Sequence, residues 1–175
     1  MGLSWINCDQ NWLPFSLKKR RIEEDAWNFF DSDSKRNYFP RMNGAVSTLL
    51  KQARDARETE ALERACLLYQ QAADLCALSQ NLADRAFALR HVSDLKRELG
   101  RFGDALAIAQ EAESIYRTGG GNALDLANCL RLVALAHMRL DDEDSALPLW
   151  QEARHLYSQS GVDGGVAECE YHLGL

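Results

Sequence analysis

Ala65-Cys66-Leu67-Leu68-Tyr69-Gln70-Gln71-Ala72 sets alanine, an aromatic and alanine at positions 65, 69 and 72. The pattern returns at Ala146, Trp150 and Ala153, and Ala105, Ala109 and Ala112 keep its spacing with alanine in the aromatic slot. The steps between the three copies are forty and forty-one residues. Upstream of the second and third copies, Ala86-x2-Leu89-x2-Val92 is matched by Ala127-x2-Leu130-x2-Val133. Self-similarity at such a period is the mark of a repeat architecture, in which each unit buries its apolar face only against its neighbours. Small residues where two helices cross let them approach closely, and an aromatic one turn away fills the gap to the next pair.

Outward from these copies the chain reads as helix after helix. Apolar residues recur at three- and four-residue steps, as in Leu89, Val92, Leu95 and Leu99. Turn-forming clusters interrupt them at Gly100 to Gly103, Thr118 to Asn122, Asp141 to Asp144 and Ser160 to Gly165. Strict alternation with β-branched residues is missing. The spacing predicts helices near 46–58, 61–79, 82–99, 103–117, 123–140, 144–159 and 164–175. They pair as hairpins 46–79, 82–117 and 123–159, with 164–175 as a capping helix, so the expected fold is an all-α solenoid. Residues 1–45 form a separate segment.

These residues resemble the tetratricopeptide repeat, whose pattern is Trp-x2-Leu-Gly-x2-Tyr, then Ala-x3-Phe, then Ala. The resemblance covers roughly Val46 to Leu175. Ala65, Ala105 and Ala146 take the alanine role, Tyr69 and Trp150 the aromatic role, and Leu173-Gly174 the Leu-Gly pair. Leu99-Gly100-Arg101-Phe102 is similar to the family's turn between helices. Leu89 and Leu130 stand in place of Trp, Lys96 and His137 in place of Tyr, and the closing proline is absent. The period, near forty rather than thirty-four, is similar to that of the kinesin-light-chain type.

The resemblance implies a protein- or peptide-binding scaffold whose concave face is lined by the first helix of each hairpin. By the family pattern that face holds Leu50, Arg54 and Arg57, then Phe87, Arg90, Asp94 and Arg97, then Asn128, Arg131, Leu135, Met138 and Arg139, with Tyr171 closing the line. Arg90 and Arg131 occupy the same place in successive repeats. An arginine row grips carboxylates in bidentate fashion, so an acidic partner is expected. The other reading of Arg90 is a simple i, i+4 pair with Asp94. Leu50, His91 and Leu132 fall where the family's chaperone-tail carboxylate clamp needs polar or basic groups, and that activity is not carried over.

The first 45 residues hold eight of the fifteen aromatics, among them Trp5, Trp12, Trp27 and Phe39, and the basic tetrad Lys18-Lys19-Arg20-Arg21. Their expected role is a cap on the first hairpin or a docking arm. The alternative to a peptide scaffold is therefore a homodimer or assembly module that pairs through this arm or through an open C-terminal edge.

Other features exclude more than they propose. A net charge of −6 argues against a nucleic-acid partner. No apolar run is long enough to span a bilayer. The five cysteines, at 8, 66, 76, 129 and 169, form no C-x-x-C pair and are expected reduced, in the cytoplasm. Four histidines form no H-E-x-x-H or other close ligand pair, so no metal or other cofactor is expected. His91 is expected to make a surface hydrogen bond with Asp94. Asp141-Asp142-Glu143-Asp144 lacks the spacing of a calcium loop and reads as a capped turn, and Gly119-Gly120-Gly121-Asn122 reads as a loop with Asn122 as N-cap. Nothing combines a nucleophile, a base and an oxyanion site, so catalysis is not expected.

Overall fold

A computed structural model describes Ser32 to Leu175 with the exception of Gly120, and side chains from Asn43 onward. The aromatic and basic segment, Cys8 included, lies outside the described side chains. The chain divides into two units, Met1–Asn43 and Gly44–Leu175, and the second is described below.

The described residues hold seven helices and no strand: α1 (Ser32–Glu58), α2 (Leu62–Leu78), α3 (Leu82–Glu98), α4 (Phe102–Arg117), α5 (Ala123–Arg139), α6 (Glu143–Gln159) and α7 (Asp163–Leu173). From α2 onward each packs against the next, and α3 also touches α5 across one intervening helix. This is an all-α, tetratricopeptide-like solenoid of antiparallel hairpins. The apolar periodicity predicts a first helix near Val46, whereas α1 begins at Ser32. The reason is physical: periodicity reports burial rather than helicity, and Val46 is the first buried side chain of the described unit.

The repeat motif is the core. Ala65, Tyr69 and Ala72, Ala105, Ala109 and Ala112, and Ala146, Trp150 and Ala153 are all buried. Alanine at these sites lets helix axes come within the usual 8–10 Å or so of close packing. The aromatics then bridge to the next hairpin. The Tyr69 ring stacks on His91 at 4.7 Å and the Trp150 ring on His172 at 4.3 Å, in both cases a histidine on the following helix. In the middle repeat, where alanine fills the slot, Leu132 and Val133 of α5 close over Ala109 instead. Ser93, buried at the α3–α4 crossing, donates to the Ala105 carbonyl at 2.8 Å. Its polar group is therefore satisfied without loosening the contact.

Turn chemistry sets the hairpin lengths. A residue of positive φ ends each of the first six helices: Glu60, Gln80, Gly100, Gly119, Asp141 and Gly161. The next helix is often capped at once. Asn81 accepts from the Asp84 amide, Asn122 and Asp125 form a reciprocal capping box, and Asp142 accepts from the Ser145 amide.

Candidate functional site

The expected groove side chains stand on α1, α3 and α5, with Tyr171 on α7. Their arginines meet different fates. Arg57 on α1 crosses to α3, donating to Asp94 at 2.6 Å and to Glu98. Arg97 closes on the same Asp94 carboxylate at 2.9 Å. These two guanidiniums hold Asp94 below the usual carboxylate range even though its burial works the other way. Arg131 on α5 reaches Glu168 on α7 at 3.1 Å. Three of the row are thus engaged inside the molecule.

Arg90 is not. Asp94, its potential i, i+4 partner, is held by Arg57 and Arg97, and Arg90 instead lies over the Phe87 ring, 5.5 Å from the centroid. Its Nε is buried without a hydrogen-bond partner, as is the Tyr116 hydroxyl on α4. Burial pushes the Tyr116 hydroxyl up to about 12, and the charge of Arg90 and its contact with the hydroxyl work in the opposite sense. Arg90 is half-buried, lies beside the Tyr116 hydroxyl and has no carboxylate partner among the described residues. The guanidinium is therefore braced by aromatic rings on α3 and α4 with its charge unneutralised.

His91 departs from the expected surface pair with Asp94. It is sandwiched between Tyr69, stacked, and Phe87, edge-on at 4.5 Å, and its Nδ1 lies 3.5 Å from Arg57 Nη1. Burial, then the charges of Arg90 and Arg57, push it down to about 4, so it is neutral at neutral pH. Because an arginine only donates, Nδ1 is the acceptor in that contact and the ring proton sits on Nε2.

The remaining expected residues divide. Arg54 is exposed and has no carboxylate partner among the described residues. Leu50 is half-buried against the first core cluster. Asn128 accepts from the Tyr157 hydroxyl at 2.9 Å. Leu135 and Met138 are half-buried, with Met138 sulfur accepting from Trp150 Nε1 at 3.3 Å. Arg139 lies over the Phe102 ring at the start of α4, away from Arg90, and Tyr171 is 81% exposed on α7. Tyr69, His91, Glu98 and Tyr116 shape the site but were not singled out from sequence as groove residues. Tyr69 and His91 stand twenty-two residues apart, as do Trp150 and His172, and that recurrence is the signal that would have found the pair.

The four described cysteines are free and buried, and burial raises each thiol. Among the described residues, no group of three or more His, Cys, Asp or Glu could hold a metal ion, and no helix is long and apolar enough to cross a membrane.

No family model matches the sequence, and no curated protein matches it. Its structure is similar to the N-terminal domain of stress-induced protein-1 (STI-1) from C. elegans, with a TM-score of 0.57 at 15% identity, over 74% of this chain and 97% of that one. The likeness shows the fold, a tetratricopeptide-like array.

Proposed function

We propose that Gly44–Leu175 binds an extended, acidic segment of a protein partner along the face of α1, α3 and α5. The observation that carries this reading is Arg90, half-buried, braced on Phe87 and without a carboxylate partner among the described residues. A guanidinium fixed in this way has lost its rotamer freedom before binding, so little entropy is left to lose when it forks a carboxylate. Leu135 and Met138, half-buried further along the face, supply apolar contact. Arg57, Arg97 and Arg131 serve the array rather than the partner, since each already holds an acid. The repeat step of forty and forty-one residues supports assignment to the long-period, kinesin-light-chain-like type.

A short fluorescein-labelled peptide rich in Glu, beside the same peptide with Gln at each acidic position, tests this by fluorescence anisotropy. The Glu form should bind and weaken as salt rises, and Arg90→Ala should cost it about 1.5–3 kcal/mol. Equal binding of both peptides, or binding indifferent to Arg90, refutes the groove.

A second reading, a homodimer, is supported by the exposure of Tyr171 and Leu175 at the end of α7. Sedimentation at micromolar concentration decides it, because a monomer there removes this reading and leaves the groove untouched.

A further inference from the structure

Arg54, Arg90 and His91 leave donors unused at one place on the groove. The register is fixed by Arg57, which reaches Asp94 on α3. One turn back on both helices brings Arg54 of α1 alongside His91 and Arg90 of α3. Both arginines bear on the His91 ring electrostatically, which agrees with that placement. His91 carries its proton on Nε2, and that N–H has no acceptor among the described residues. The ring cannot swing away, because Tyr69 stacks on one side and Phe87 abuts it edge-on.

The charge here is not balanced. Among the described residues the carboxylates bonded to Arg54, Arg57, Arg90 or Arg97 are Asp94 and Glu98, and both are taken by Arg57 or Arg97. Two positive charges are left over. A single carboxylate would be saturated by one bidentate guanidinium and would neutralise one of them. Two guanidiniums and a fixed imidazole N–H call for an acceptor with more oxygens and about two negative charges, as a phosphorylated side chain has at pH 7.

We propose that Arg54, Arg90 and the His91 Nε2–H form a binding site for a tetrahedral dianion, the phosphate of a phosphorylated residue in the partner segment. The proposal rests on the groove reading above and names the group recognised. Arg90, braced on Phe87, forks two oxygens. Arg54 is exposed and approaches from the α1 side, and His91 donates from the floor. His91 acts here as a neutral donor, so it adds direction without adding a third charge to be desolvated.

The test uses the whole chain and inorganic phosphate. The His91 imidazole signals are followed by ¹H–¹³C NMR near pH 7.5, with phosphate titrated against acetate and chloride at equal ionic strength. Phosphate is expected to shift the ring signals saturably and to raise the titration midpoint of His91, whereas acetate and chloride leave both nearly unmoved. Arg54→Ala and Arg90→Ala should each weaken phosphate roughly tenfold, the loss of about one charge-assisted contact. Arg90→Lys should fall between, keeping charge and losing the fork. Circular dichroism confirms that each variant is folded, and a variant that fails is replaced by its Gln counterpart. A second arm exchanges one Glu of the acidic probe for phosphoserine, which should tighten binding in wild type and not in Arg54→Ala. If acetate matches phosphate, or phosphoserine adds nothing to a probe that binds through Arg90, the dianion proposal fails and the acidic groove stands. If phosphate binding ignores both arginines, the site is refuted. If no probe binds at all, both readings fall together.

Discussion

Lowering the pH should destabilise this fold through one side chain before its carboxylates begin to protonate. Burial among Tyr69, Phe87, Arg57 and Arg90 pushes His91 down to about 4 from the 6.5 of a free imidazole. Above pH 6.5 the ring is neutral in both folded and unfolded chains and contributes no pH dependence. Between 6.5 and 4 the unfolded chain takes up a proton that the native state refuses, so stability falls as pH falls. The separation corresponds to a full loss of about 3 kcal/mol, of which about 2 kcal/mol has gone by pH 5. Asp94 and Glu152 are depressed carboxylates. Their contribution is present above the ordinary carboxylate range and is lost only at lower pH, as it falls through their folded values, so they leave this window clear. Urea unfolding of wild type and His91→Gln at pH 7.5, 6 and 5, in phosphate-free buffer, isolates the effect. Gln can still accept from Arg57 and does not titrate, and the other histidines cancel in the difference. Wild type should lose about 2 kcal/mol more than the variant between pH 7.5 and 5. Parallel slopes, or a native His91 midpoint near 6.5, would refute the reasoning.

Trp150→Ala removes the largest buried side chain and its stack on His172, and should cost about 3–5 kcal/mol in urea unfolding. Gly165→Ala would set a methyl carbon 2.5 Å from the Tyr157 ring, so about 1–3 kcal/mol should be lost as the ring is displaced, and an unchanged midpoint would mean that Tyr157 repacks freely. Gln80→Gly should go the other way, because Gln80 holds φ at 55° where glycine carries no Cβ penalty, and a gain of up to about 1 kcal/mol is expected in the same assay.

The architecture was legible because its signals are local and repeated. Ala65, Ala105 and Ala146 are small where helices must touch, Asn122 and Asp142 cap where turns must end, and Gly100, Gly119 and Gly161 mark three of the left-handed turn residues. Glu60, Gln80 and Asp141 adopt the same backbone with side chains that advertise it poorly, so those turns show mainly as breaks in periodicity. The site was legible only as a set of positions. Which arginines stay unpaired depends on neighbours a whole repeat away, and an i, i+4 rule applied within one helix misassigns Asp94 to Arg90.

A register relation accounts for the sorting. The repeat step in sequence is forty or forty-one, yet Arg57 meets Asp94 and Arg131 meets Glu168, each thirty-seven residues on. The contact falls one turn short of the repeat because side chains on parallel helices lean toward their N-termini and reach back along the neighbour. Applied to Arg54, Arg57, Arg90 and Arg131, the offset of thirty-seven separates the engaged from the unpaired. It leads from Arg57 and Arg131 to acids, and from Arg54 and Arg90 to His91 and Ala127, which offer no negative charge. Arg97 meets Ala134 by the same offset and turns instead to Asp94 on its own helix. Aligned arginines in successive repeats are therefore not equivalent. Arg131 holds α5 to α7, whereas Arg90, at the equivalent place one repeat earlier, has no acid to hold. Removing one acid places the idea at risk: Glu168, 38% exposed, holds Arg131 at 3.1 Å, so Glu168→Gln should release Arg131, tighten binding of the acidic probe, and leave Arg57–Asp94 intact. If the probe binds Glu168→Gln no more tightly than wild type, the register relation does not govern which arginines the groove presents.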